Sequence, residues 1–321
     1  MLYVGYDIGG TKCAVVLGRT EGSEITILDK VRFPTAEHPD YRTTLRVMGD
    51  VTETLLSKNG IGLPDIAGIG ISCGGPLDSR RGVILSPPNL PGWDNVEIVR
   101  YYKQRFSVKT TLQNDANACA VAEWKFGAGR GTQNMIFLTF GTGMGAGLIL
   151  DGRLYSGTSD LAGEVGHLRL APMGPVGFGK AGSFEGFCSG GGLAQLAQSM
   201  VLERLQMGES VSFCPDIAHL SALNAKVVAD AADAGDELAR EIYRVSGEYL
   251  GRGLSLLIDI LNPEVIVIGS VYARSENLLG EPAHRMVEGE ALHLSRKVCR
   301  IVPAGLGERI GDIAALSVAM L

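Results

Sequence analysis

The chain has 321 residues, 45% of them hydrophobic and 20% charged, with a net charge of −6. That length predicts about two domains, and the apolar content is ample for a core in each. An acidic balance with no long basic run argues against nucleic acid or other polyanions as partners. The longest apolar run, Leu254 to Leu261, is interrupted by Asp259 and closed by Asn262-Pro263, far short of the roughly 20 residues that cross a bilayer. The sequence enters directly into Leu2-Tyr3-Val4 with no basic region or cleavage site, so no signal peptide is expected. Cys13, Cys73, Cys119, Cys188, Cys214 and Cys299 are scattered without a Cys-x-x-Cys, which predicts buried free thiols in a reducing cytoplasm.

In chain order, Leu2 to Tyr6 reads as a strand, followed by the turn Asp7-Ile8-Gly9-Gly10-Thr11-Lys12 and a second strand, Cys13 to Leu17. Glu24 to Phe33 offers a third strand. Tyr41 to Lys58 places Leu45, Met48, Val51, Leu55 and Leu56 at a helical period, and Ile66 to Ser72 is a buried-strand run. Adjacent strands followed by helix and strand in alternation indicate an α/β domain with a mixed sheet. Gly74-Gly75-Pro76 breaks the strand, and Ser86 to Trp93 is a Pro-rich loop. Asn95 to Phe106 reads as a helix and Val108 to Leu112 as a strand. Asn114 or Asp115 then suits the cap of a helix that runs on to Phe126. A carboxylate at such a strand-to-helix turn is also well placed to meet a ligand over the sheet edge.

The second half opens in the same way. Met135 to Phe140 is a strand, Gly141-Thr142-Gly143-Met144-Gly145-Ala146-Gly147 a turn, and Leu148 to Leu150 a strand continued through Asp151-Gly152 into Arg153 to Tyr155. We read this as a weak internal repeat. Helices are expected over Leu193 to Leu205, Asn224 to Asp233 and Glu237 to Leu261. A strand is expected over Val265 to Ile268 with a turn at Gly269-Ser270, and a short apolar helix over Asp312 to Leu321.

Gly141 to Gly147 contains a formal Gly-x-Gly-x-x-Ala dinucleotide fingerprint, but a strand follows where the fingerprint needs a helix. Gly174-x4-Gly179-Lys180 approaches a Walker loop, but Ala181 stands where a Ser or Thr should hold Mg²⁺. The two Gly/Thr hairpins give a better account. Each exposes backbone N–H groups and a Thr hydroxyl in an unobstructed turn, and such turns form anion-binding concavities. Either alone reads as a tight β-turn; together, heading two similar domains, they suit a polyphosphate.

These hairpins, with Asn114-Asp115-Ala116-Asn117, resemble the motifs of ROK-family sugar kinases. Asn89-Leu90-Pro91-Gly92-Trp93 is similar to the family's sugar-side loop, Gly163-Glu164-Val165-Gly166-His167 to its Glu-x-Gly-His signature, and Gly307 to Ala315 to its C-terminal segment. The resemblance runs nearly end to end. It implies an α/β, two-domain actin-like/ribonuclease H-like ATPase fold with mixed sheets and an interdomain cleft. The smaller domain would take residues 1–116 with the C-terminal helix, about 305–321, and the larger one residues 117–304.

The resemblance also implies ATP- and Mg²⁺-dependent phosphorylation of a hexose or N-acetylhexosamine, at the 6-hydroxyl, by a cytoplasmic homodimer. Asp115 would be the general base. Asp7 would act near Mg²⁺ through water, with Gly9, Gly10, Thr11, Lys12, Gly141, Thr142 and Gly143 at the phosphates and Gly269 and Ser270 near the nucleoside. Gly75, Asn89, Asn114, Asp115, Glu164, His167 and Glu185 would hold the sugar.

One departure concerns structural zinc. The family follows its His with three Cys ligands, and here Val176, Phe178 and Ser183 stand in their places, with Gly182 and Glu185 kept. His167 alone cannot make a four-ligand site, so no zinc is expected, and Val176 and Phe178 are expected to hold the loop by apolar packing. The competing reading is a non-catalytic sugar-binding or regulatory protein of the same fold. Regulators of the family carry an additional N-terminal helix-turn-helix domain, and here the first hairpin begins by Asp7.

Overall fold

The structure, a computed structural model, describes every residue except Pro39. It divides into two compact units. Residues 1–133, 147–162 and 305–321 form the first, and residues 134–146 and 163–304 the second.

The first unit opens with β1 (Leu2–Ile8), β2 (Lys12–Glu21) and β3 (Glu24–Pro34), an antiparallel meander whose apolar alternation buries Val4, Tyr6, Val15 and Leu17. Helix α1 (Tyr41–Lys58) is capped by Asp40, which accepts the Thr43 N–H, and buries Leu45, Met48, Leu55 and Leu56. Then β4 (Ile66–Cys73) pairs parallel to β1. A short ribbon, β5 (Leu77–Asp78) and β6 (Val83–Ile84), precedes α2 (Ile98–Phe106). The helix expected from Asn95 starts three positions later, because Asn95 takes a φ of 53°, outside the helical region. β7 (Thr110–Asn114) adds to β4 in parallel and runs straight into α3 (Asp115–Phe126). The sheet order is β3-β2-β1-β4-β7, a mixed sheet as the sequence pattern predicts.

The second sheet repeats that plan. β8 (Met135–Phe140), β9 (Met144–Leu150) and β10 (Arg153–Tyr155) are its opening strands, and the chain passes into the first unit at Gly147 within β9. The second unit continues with the two-residue strands β11 (Val176–Gly177) and β12 (Lys180–Ala181). The helices α4 (Phe184–Phe187), α5 (Gly190–Gln206), α6 (Ala225–Asp233) and α7 (Glu237–Leu261) follow. Then come β13 (Val265–Ile268), α8 (Val271–Arg274), α9 (Glu276–Glu290), α10 (His293–Val298) and β14 (Arg300–Pro303). β13 lies parallel to both β8 and β14, and the order is β10-β9-β8-β13-β14. The internal repeat read from the two Gly/Thr turns is therefore a repeat of strand order.

The sequence pattern gave no expectation for α9, α10 or β14. Pro282 stands inside α9, where it disrupts a helical reading, and its ring packs against Gly247 of α7: a Cβ there would lie 2.6 Å from Pro282 Cγ. None of the helices, among the described residues, is long and apolar enough to cross a membrane. All six cysteines are free; Cys13, Cys73, Cys188 and Cys214 are buried and Cys119 and Cys299 partly so.

The chain then returns to the first unit as α11 (Ile310–Val318). This Ala-rich helix lies on the β1–β4 face and packs Ile313, Ala314 and Val318 against Ala118 and Ala122 of α3. A Cβ on Gly5 would lie 2.8 Å from Leu316 N, and one on Gly70 would collide with Ala315 O. Glycine at those two sheet positions is what lets the helix backbone come so close.

Candidate active site

In the first unit, β7 ends and α3 begins without a linking residue. Asn114 is the cap: its Oδ1 accepts the Asn117 N–H at 2.7 Å. Asp115 is then the first helical residue, and its Oδ1 accepts the adjacent Ala116 N–H at 2.8 Å. The Asp115 side chain keeps an exposed face although protein crowds around it. The crowding raises its pKa by desolvation, the Ala116 N–H and its own N–H pull the other way, and the open face limits the rise. The Asn114 amide nitrogen lies 3.5 Å from Asp160 O.

Asp7 stands at the end of β1, half-buried, with its Oδ2 3.3 Å from where a Cβ on Gly311 of α11 would lie. Its pKa is raised to about 6, mainly by desolvation. Lys12 opposes that shift, the charges of Asp312 and Asp115 add to it, and Arg32 opposes it. Asp312 is nearly buried and is held by Lys30 at 2.6 Å and Arg32 at 3.7 Å. The Gly10, Thr11 and Lys12 positions of the first turn are exposed. The exposed Lys12 ammonium acts on the Asp7 carboxyl through its charge. Asn89 closes over this turn. A Cβ on Gly10 would lie 2.6 Å from Asn89 O, and one on Gly74 would lie 3.3 Å from the Asn89 amide nitrogen. Gly75 is exposed with open space about it. Thus Asp7, the first turn and Asn89 gather at one end of the sheet, the end where β7 delivers Asn114 and Asp115.

The second unit gathers the other sequence-predicted residues in its own cluster. Thr142 is exposed in the β8–β9 turn. Glu185 Oε2 accepts the Met144 N–H at 2.9 Å, and a Cβ on Gly143 would lie 2.9 Å from the same oxygen. Gly141 faces Ser270, with 3.8 Å between its would-be Cβ and the Ser270 Oγ. The Gly269-Ser270 turn, in which Ser270 takes a φ of 55°, therefore abuts the second hairpin. The Glu164–His167 turn also reaches it: the Ala146 N–H donates to Gly163 O at 2.7 Å, and Gly166 stacks between Met144 O and Glu185 Cβ. Glu164 and His167 are exposed, and the His167 ring meets Phe178 edge-on at 5.3 Å.

The loop after His167 is not held as the sequence suggested. Phe178 is 77% exposed and Val176 45%, so neither packs it down. Polar contacts hold it instead. Gln195 bonds both the N–H and the C=O of Val176 at 2.9 Å, and Lys180 and Arg169 donate at 2.6 Å to His167 O and Ala181 O. Ser183, the third substituted cysteine position, is fully buried and caps α4 by accepting the Gly186 N–H at 3.1 Å. Among the described residues no group of three or more His, Cys, Asp or Glu is placed to hold a metal ion.

Two acidic residues of the first unit escape motif reading. Asp312 is one. The other is Glu123, fully buried on α3, whose carboxylate accepts the N–H groups of Ala128 at 2.8 Å, Gly305 at 3.1 Å and Leu306 at 2.9 Å. The visible signal was a charge inside an apolar helical run in each case.

The ROK family model matches residues 3–320. A glucokinase of Halalkalibacterium halodurans is 32% identical over 90% of this chain and 86% of its own length. The crystal structure of a ROK family glucokinase from Streptomyces griseus, in complex with glucose and AMPPNP, superposes with a TM-score of 0.75 at 26% identity, covering 100% of this chain and 99% of that one. A xylose repressor of Caldicellulosiruptor bescii is 29% identical over 83% of this chain and 65% of its own length.

Proposed function

Since the chain belongs to the ROK family and has the family's two-domain actin-like α/β fold, we propose that it is an ATP-dependent sugar kinase acting on the 6-hydroxyl of a hexose or N-acetylhexosamine. The observation that carries this reading is the division of labour at the head of α3. Asn114 caps the helix, and Asp115 is left with an exposed carboxylate at a helix N-terminus. Asp115 accepts the proton of the sugar hydroxyl as the hydroxyl oxygen bonds to the γ-phosphorus and the bond from that phosphorus to the bridging oxygen breaks, releasing ADP. A raised pKa makes it the stronger base, a role worth roughly 10²–10⁴-fold in rate. Likeness to glucokinases supports the sugar and nucleotide classes.

The residues present fit the nucleotide and its metal by the chemistry of their donors. The exposed Gly10-Thr11-Lys12 turn offers N–H groups, a hydroxyl and an ammonium to phosphate oxygens, and Thr142 with the 141–143 turn offers a like set. Gly269 and Ser270 would lie at the nucleoside. Asp7 is a hard oxygen donor crowded by the charges of Asp312 and Asp115, so a cation beside it would relieve repulsion. One carboxylate with water suits Mg²⁺, which supplies charge neutralisation at the phosphates when bound. Asn89, Asn114, Glu164, His167 and Glu185 would hold the sugar hydroxyls, with Gly75 leaving room for the ring. Polar partners that a wrong sugar covers but leaves unpaired cost free energy and so enforce choice. The six free thiols suit a cytoplasmic setting, and we take the working form as a homodimer.

The test is a coupled ADP-release assay across hexoses, N-acetylhexosamines and their epimers. No turnover on any of them by folded, ATP-binding protein would defeat the kinase reading. It would favour a sugar-binding regulator, which the repressor relative keeps in view.

A further inference from the structure

A second concave surface lies in the first unit, away from Asp7 and Asp115, between the first turn of α1 and the first two turns of α2. It is a groove of about 500 Å³ with Leu45 and Val96 at its floor, inside the range of about 300–1,000 Å³ typical of small-molecule sites. Tyr41 and Tyr101 line it with aromatic surface. Arg42 and Arg100 also line it, and both guanidinium groups are exposed and lightly held. Arg42 lies over the Tyr41 ring at 4.7 Å and reaches Asp40 only at 4.0 Å, and Arg100 pairs with Glu97 at 2.9 Å on the surface. Asn95 and Gln104, both exposed, complete the rim.

We propose that this groove binds a phosphomonoester of a small polyol, a sugar phosphate. Two guanidinium groups suit a phosphate dianion, since their planar forks match its oxygens and exposed surface pairs are readily exchanged. The remaining rim is mixed: the exposed Asn95 and Gln104 amides and the Glu97 carboxylate offer donors and acceptors together, which hydroxyls on a ring require. The tyrosine rings offer apolar surface to the ring's C–H face.

The groove also touches the sugar-side loop. The Tyr41 ring stands 6.2 Å from that of Trp93, which is buried at the end of the loop carrying Asn89. Trp93 fixes the loop through a bond from its N–H to Leu90 O and one from Ser86 N–H to its own C=O. A ligand seated on Tyr41 therefore presses on the segment that closes over the first Gly/Thr turn. The ligand class follows from the groove itself; the regulatory consequence rests on the kinase reading.

The test is calorimetric titration of glucose 6-phosphate into the full chain presaturated with glucose and AMPPNP, so that the catalytic residues are occupied. Saturable binding is expected. Arg100→Ala should weaken it roughly tenfold to a hundredfold, the loss of one charge-assisted contact. Arg42→Glu should abolish it, and both variants should melt like the wild type. Absence of binding, binding untouched by Arg100→Ala, or tighter binding of AMP than of the sugar phosphate would overturn the proposal. If the chain proves not to release ADP with any sugar, the kinase reading fails, yet Arg100-dependent binding still reports on the groove.

Discussion

Asn114 accepts the Asn117 N–H at 2.7 Å and so relieves Asp115 of capping the helix that both residues introduce. On sequence alone either residue could have filled that role. Asp115→Asn should therefore leave the helix and ligand binding nearly intact while lowering kcat roughly 10²–10⁴-fold. ADP release measured beside calorimetric sugar and nucleotide affinities checks this. An unchanged kcat would remove Asp115 as the base.

The elevated Asp7 carboxyl predicts a pH dependence. Protonation competes with a cation, so Mg²⁺ affinity should fall as pH drops through about 6. Stability should move oppositely. The native state holds this proton more tightly than the unfolded chain, so the contribution of Asp7 favours folding at low pH and is lost as pH rises through about 6. Asp7→Asn should accordingly raise Tm more at pH 8 than at pH 4. Equal shifts at both would show that the group ionises normally.

Glu123 serves three backbone N–H groups from full burial. Replacing it with leucine leaves the buried Leu306 N–H without an acceptor and removes the partly buried bonds from Ala128 and Gly305. The expected loss is about 1–3 kcal/mol, read as a lower urea midpoint at constant slope. A loss under about 0.5 kcal/mol, the scale of an ordinary surface change, would contradict the geometry.

The degraded zinc loop predicts an inversion of ordinary expectation. Val176→Ser and Phe178→Ser, both at exposed positions, should change stability by less than about 0.5 kcal/mol. The smaller change Ser183→Ala should cost about 0.5–2 kcal/mol through its cap. Thermal melting of the three variants orders them.

Much of this was legible because it was local. The Gly/Thr turns, the strands beside them and the 25 residues of α7 follow from two- and 3.6-residue periods within single stretches. The repeat of strand order was visible only as two similar openings, since β4, β7, β13 and β14 reach their places through long crossovers. Other features depend on partners distant in sequence. Glu123 meets Gly305 and Leu306, Asp312 meets Lys30 and Arg32, and Pro282 makes sense inside α9 once Gly247 is known to receive it. The loop after His167 misled because Val176 and Phe178 are apolar, whereas backbone bonds from Gln195, Lys180 and Arg169 do the holding.

The seat of α11 on Gly5 and Gly70 bears on how the chain is made. The first sheet leaves the ribosome early, but the helix that covers one of its faces is translated only after all of the second unit. At about 5–20 residues per second that delay is roughly 10–40 s. That face sets Tyr3, Ala14 and Val16 against the helix, so part of the core stays uncovered during the wait. The second unit can close first, and the first-made half of the protein is the last to be finished.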